Sequence, residues 1–207
     1  TVWGGPDSLY YASATDIEYA NEYWVVSGMY YYNEVGYAAM AYAVSPAGSW
    51  TMVKPWSGSR STSNIIKKLL YANGYWIGAG TSYSSSGGYQ ACVGWAATSP
   101  EAANWSSKTL WTSGAVECFT YANGKYVACG WYKDSDTGMF YERIMYSTSR
   151  NFNSYTTIDF LPDAGDKWTL KDITYADGFW TIVGSYNKTK GYLLYSPTLD
   201  GFEKITI

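Results

Sequence analysis

The chain spells one pattern of apolar and polar positions four times. Leu69 to Gly80 reads LLYANGYWIGAG; its counterparts are IEYANEYWVVSG from Ile17, FTYANGKYVACG from Phe119 and ITYADGFWTIVG from Ile173. The tyrosines Tyr19, Tyr71, Tyr121 and Tyr175 recur at intervals of 52, 50 and 54 residues, the mark of one supersecondary unit copied four times. No stretch shows a helical apolar period, so each unit reads as all β. Strand A ends at Tyr-Ala. The next two residues are Asn21-Glu22, Asn73-Gly74, Asn123-Gly124 or Asp177-Gly178. They predict a type I′ hairpin turn, whose central residues both need positive φ. Glu22 is the one poor fit. Strand B then closes on Gly28, Gly80, Gly130 and Gly184.

After a variable loop comes strand C, and after a short turn strand D. Strands B and C are apolar or small on both faces, as in a sheet covered on two sides, while strand D mixes in Thr, Lys and Glu, as at an outer edge. Four-stranded sheets that bury both faces at this period predict an all-β, β-propeller-like fold. The expected organisation is one domain over 1–207: an extra outer strand and loop at 1–15, then blades at 16–57, 64–112, 115–161 and 170–207. A β-solenoid, with shorter coils and no hairpin in each, fits the pattern less well.

An apolar strand closing on Gly after Tyr-Ala-Asn-Gly, then Tyr-Ser and an aromatic-led strand, resembles Asp-box (sialidase-type) propeller repeats. It also resembles the related repeats of phage and prophage tail proteins. The Asp-box turn between strands C and D corresponds to Ser45–Trp50, Ser99–Trp105, Ser149–Tyr155 and Ser196–Phe202. Only the last keeps an Asp-Gly pair, Asp200-Gly201, and that pair is displaced. The resemblance implies the fold and an extracellular or virion-surface setting.

The N-terminus aligns without a gap onto a later segment: residues 1–20 match 157–176, which makes Thr1-Val2-Trp3 the tail of a strand D. Four A-B-C sets then share five D strands. Three readings follow: the chain is a segment of a larger ring, the surplus strand packs as an added edge, or residues 1–5 enter a neighbour and give a head-to-tail homopolymer.

Composition narrows the chemistry. Charged residues are 15% and aromatic residues 19% of the chain, which excludes disorder. No apolar run approaches a bilayer span, so membrane insertion is not expected. A net charge of -3 with three arginines, Arg60, Arg143 and Arg150, argues against nucleic-acid binding. Histidine is absent, removing the commonest general base and metal ligand. A glycosidase needs paired carboxyls, or in sialidases a Tyr nucleophile with acid partners. The sialidase resemblance adds an arginine cluster and six blades; these arginines are scattered and the blades number four. The chain is therefore read as a non-enzyme with no cofactor. Its alternatives are the filament subunit above and a degenerate sialidase-like hydrolase.

The candidate ligand-binding residues are Tyr30, Tyr31, Tyr83, Trp131, Tyr132 and Tyr186, assigned to the B–C loops on one rim. Aromatic rings there can stack on sugars while their polar tips hydrogen-bond outward; they can equally pack on a neighbouring blade or subunit. The expected partners are glycans or other subunits of one assembly. Asp134-Ser135-Asp136-Thr137-Gly138 resembles the opening of a calcium loop, but Met145 stands where an EF-hand needs its bidentate Glu. It reads instead as a solvated turn, with no metal. Counting outward from Asn123-Gly124 sets Cys118 opposite Cys129. Opposed residues lie about 4.5–5.5 Å apart at Cα, within reach of a disulfide; two buried free thiols are the other reading. Cys92 has no partner in the pattern.

Overall fold

The structure, a computed structural model, describes residues 11–32, 35–57, 64–85, 87–97, 99–101, 105–160, 168–186 and 190–206. Their strands form four antiparallel sheets of four, each a simple meander. The first holds β1 (Tyr11–Ala20), β2 (Tyr23–Tyr32), β3 (Val35–Ala43) and β4 (Thr51–Ser57). The second holds β5 (Ile65–Ala72), β6 (Tyr75–Ser84), β7 (Gly88–Ala97) and β8 (Ser106–Thr112). The third holds β9 (Gly114–Ala122), β10 (Lys125–Lys133), β11 (Phe140–Ser147) and β12 (Thr156–Phe160). The fourth holds β13 (Trp168–Ala176), β14 (Phe179–Tyr186), β15 (Lys190–Ser196) and β16 (Glu203–Thr206). There is no helix among the described residues. The surplus strand expected at residues 1–5 and Arg60 lie outside them.

All four hairpins carry the predicted left-handed turn. Asn21, Asn73, Asn123 and Asp177 have φ of 46°, 51°, 47° and 50°, and Glu22 is driven to 66° where the other copies use Gly. The glycine that closes strand B has a physical cause that the repeat alone does not reveal. In three of the sheets the A–B ladder slips by one residue, between Ala14 and Asp16, Ile66 and Lys68, or Leu170 and Asp172. Such a bulge bends the strand. Here it brings a strand-A carbonyl against strand B, so a methyl group on Gly28 or Gly80 would overlap the Ser13 or Ile65 oxygen, and one on Gly184 would lie 2.6 Å from that of Thr169.

The chain forms two compact units, Thr1–Ala115 and Val116–Ile207. In the first, the sheets of β1–β4 and β5–β8 meet through Val25, Ala38, Met40, Val53, Trp56, Ile66, Leu69 and Trp76. Two glycines let the layers approach: Met40 fills the space a side chain would take at Gly78, and Trp56 does so at Gly94. In the second, Val127, Cys129 and Ile144 of the third sheet meet Leu170, Ile173, Trp180, Ile182, Tyr192 and Leu194 of the fourth. Both units use one rule. The outer-facing B and C positions of one sheet take the strand-A apolar pair of the next: Ile66 and Leu69, or Leu170 and Ile173. Burying one such side chain contributes about 1.5–3 kcal/mol.

Candidate functional site

The rim residues belong to strands, which corrects their assignment to loops. Strand B does not stop at its glycine: Gly28 pairs with Ala39, Gly80 with Cys92, Gly130 with Arg143 and Gly184 with Tyr192, and the ladders run on. Tyr30, Tyr31, Tyr83, Trp131 and Tyr132 therefore stand on pleated strands. Because side chains alternate, Tyr30 and Tyr132 share the glycine's face, whereas Tyr31, Tyr83 and Trp131 point the other way. Tyr186 ends β14 with its backbone opposite Lys190 and Trp168; its ring lies outside the described atoms.

On the glycine's face an aromatic pair recurs beneath a cation. Tyr132 is opposite Tyr141 in the ladder, their rings stacked at 5.1 Å and 18°. The Arg143 guanidinium carbon sits 3.9 Å from the Tyr132 ring centroid. Arg143 is held by Asp159 through two bonds of 2.7 Å, and the Tyr132 hydroxyl donates to the same carboxylate at 3.3 Å. Burial and then the Asp159 charge push the Tyr132 hydroxyl above its ordinary pKa, which keeps it a donor. In the first sheet Tyr30 lies opposite Tyr37, with Lys54 Nζ 3.9 Å from the Tyr37 ring and 5.5 Å from that of Tyr30. Tyr30 is buried, so its ring serves packing more than an open surface.

On the opposite face, Trp131 donates its indole N–H to Glu117 Oε1 at 3.1 Å and lies 5.7 Å from the half-exposed Phe140. Tyr83 meets the exposed Tyr89 edge-on at 5.3 Å. Buried Asn64 ties this end of the first unit together: its Nδ2 donates to Gly36 O at 2.7 Å and its Oδ1 accepts from Tyr83 N at 2.8 Å. Gly36 is the ladder partner of Tyr31, so Asn64 links the strand ends that carry Tyr31 and Tyr83.

Several residues were missed in the sequence. Glu142, opposite Trp131, is a buried carboxyl whose Oε2 accepts from Leu170 N at 3.1 Å across the two sheets of its unit. Burial, reinforced by Glu117, pushes it up to about 8, against the pull of the Leu170 bond and of Lys171. Its place in the other copies is taken by Ala38, Ala91 and Gly191, a departure visible in an aligned repeat. Burial, with the Glu142 charge adding to it, holds the Tyr192 hydroxyl above its ordinary pKa, and the two side chains are 1% and 4% exposed. A sugar has no access to them there.

Cys118 and Cys129 lie opposite each other as buried thiols. Their thiols hydrogen-bond, and burial holds Cys129 well above its ordinary value of 9.0; disulfide formation requires a thiolate. Burial likewise pushes Cys92 up to about 11. Asp134 closes its own loop: one oxygen accepts from Asp136 N, Thr137 N and Thr137 Oγ1 at 3.1, 2.7 and 2.8 Å. Among the described residues no group of three or more Cys, Asp or Glu side chains is placed to hold a metal.

No protein-family model and no curated protein matches the sequence. The fold does match solved structures. A Trypanosoma rangeli sialidase in complex with 2,3-difluorosialic acid aligns with a TM-score of 0.68 at 14% identity, over 92% of this chain and 37% of its own. The same sialidase with sialic acid gives 0.62 and 12%, over 93% and 36%. A GH43B protein of a Bacteroides ovatus xyloglucan locus gives 0.51 and 16%, over 94% and 40%. The chain thus spans little more than a third of the sialidase chains it resembles. The likeness is one of fold: the four sheets are blades of the β-propeller type.

Proposed function

We propose that the chain is a glycan-binding, adhesive module on a sialidase-type propeller scaffold, acting by recognition and not by hydrolysis. The observation that carries this reading is the end of the β10–β11 hairpin, where Tyr132 with Tyr141 and Trp131 with Phe140 form cross-strand aromatic pairs on opposite faces. Each pair is pinned by a carboxylate, Asp159 or Glu117. Rings offer apolar faces to the C–H side of a sugar, and fixed carboxylate and guanidinium groups offer bonds to its hydroxyls. The solved structures of similar fold include one bound to sialic acid, which supports a carbohydrate as the ligand class. The resemblance to repeats of phage and prophage tail proteins favours a role on a virion or cell surface.

A glycan array probed with the wild-type chain and with Trp131→Ala, Tyr132→Ala and Tyr186→Ala tests the proposal. Binding to a defined set of glycans should fall about two- to tenfold in Trp131→Ala or Tyr132→Ala, since a stacking contact contributes on the order of 0.5–1.5 kcal/mol. Unchanged binding in every variant would remove it. Turnover of a chromogenic glycoside panel would instead establish the hydrolase reading.

A further inference from the structure

Cys118 and Cys129 are both 0% exposed and belong to one apolar cluster inside the second unit. Their thiols hydrogen-bond to each other. The equivalent residues of the other sheets are directly opposed in the A–B ladder: Asp16 with Ser27, Lys68 with Ala79 and Asp172 with Val183. The third sheet alone sets two thiols at this position. Opposed antiparallel residues lie about 4.5–5.5 Å apart at Cα, inside the span that a disulfide bridges. The sulfurs are thus close enough to bond, but no reagent reaches them. Their cover comes from the fourth sheet, through Leu170, Ile173, Trp180 and Ile182. The hairpin that carries the pair needs only β9, β10 and the Asn123-Gly124 turn. Hairpins form in microseconds, and β9–β12 precede β13–β16 along the chain. During synthesis the pair therefore meets seconds before its cover exists.

We propose that Cys118 and Cys129 form a disulfide gated by folding. The bond closes in the β9–β10 hairpin while the third sheet is uncovered, and docking of β13–β16 then seals the pair, bonded or not. The oxidant is a small disulfide such as oxidised glutathione. One cysteine thiolate attacks it and releases the first thiol; the other thiolate attacks the mixed disulfide and releases the second. The two cysteines give up two electrons and two protons, and the small disulfide leaves as two thiols. Cys92 lies in the core of the first unit, beside the Thr109 hydroxyl, and takes no part. The crosslink closes a short loop around the turn, which restrains the unfolded hairpin and stabilises the second unit. The redox conditions met while the unit folds are thereby retained in its stability afterwards.

Thiol counting on the whole reduced chain tests this. One sample is held with oxidised glutathione in native buffer, and another at the urea concentration that half-unfolds the chain, where the sheets open and reclose. Thiols are counted after quenching and full denaturation, and a non-reducing digest locates any bond. The sample in urea should lose two of its three thiols to a Cys118–Cys129 bond. The native sample should react at least about a hundredfold more slowly, since only transient opening exposes a sulfur. Once the urea is removed, dithiothreitol should leave the bond intact, and it should cleave the bond when urea is restored. The bonded chain should also need more urea to unfold than the reduced chain. Native oxidation as fast as oxidation in urea overturns the gate. A bond to Cys92, mixed disulfides alone, or a bonded chain that unfolds in less urea than the reduced one overturns the pairing.

Discussion

The two units are built alike in their apolar parts and differently in their polar ones. In β1–β8 the contact between sheets is fastened by Asn64, by Asp16 bonded to Leu69 N, and by a Thr15 hydroxyl bonded to Ile66 O. In β9–β16 the corresponding fastening is a single buried carboxyl, Glu142 on Leu170 N, beside the Cys118–Cys129 thiols. The apolar repeat specifies which faces meet; the polar contact that varies from unit to unit decides how that meeting responds to pH.

The shared part of this comparison breaks first. Gly80→Ala and Gly184→Ala each force a methyl group onto a bulge carbonyl, and each should destabilise its own unit by about 4 kcal/mol or more. Urea unfolding followed by tryptophan fluorescence reads this directly, and a change under 1 kcal/mol in both would show that the bulge is not fixed. Next in size is the pH response. Folding lifts the Glu142 carboxyl from its ordinary 4.5 to about 8, so the folded chain holds that proton more tightly. The resulting stability is complete below pH 4.5 and is lost as pH rises through 8, on the order of 3 kcal/mol. Hydrogen exchange at β13 should accelerate across that window beyond the intrinsic rate, β5 should not, and Glu142→Gln should abolish the difference. Asn64→Leu leaves Gly36 O and Tyr83 N without their buried bonds and should cost about 2 kcal/mol. It should act on the first unit alone, measurable as a lower urea midpoint. Smallest is a gain: Glu22→Gly relieves a left-handed φ of 66° and should raise stability by about 0.5–1 kcal/mol, a rise of a few degrees in Tm.

The hairpins and the four-strand period were legible because they depend on local chemistry: Asn-Gly and Asp-Gly name a turn without help from distant residues. Strand B's closing glycine was visible, but its cause was not, since the Ile65 carbonyl that forbids a side chain at Gly80 is set by a slip in the partner strand. That slip also hides the strand-A apolar pair, because Ile66 and Leu69 are three apart and share a burial that simple alternation denies them. The aromatic positions beyond the glycine are visible in the repeat but read there as loop residues, and their division between two faces follows only from the continued ladder. Glu142 escaped attention because a single carboxyl in an apolar strand looks like surface until its neighbours are known. Asp159 and Tyr141 escaped because pairing across strands is invisible in one copy.

The two-residue hairpin and the meander order bear on how the chain finds this shape. Within each sheet every strand after the first pairs with the one before it in sequence, so each sheet closes with short loops and a small entropic toll. Any of the four turns can seed its own sheet without waiting for the others, as in arrays of stacked modules. Refolding should therefore begin in parallel at several sites, with the joining of finished sheets as the slower event.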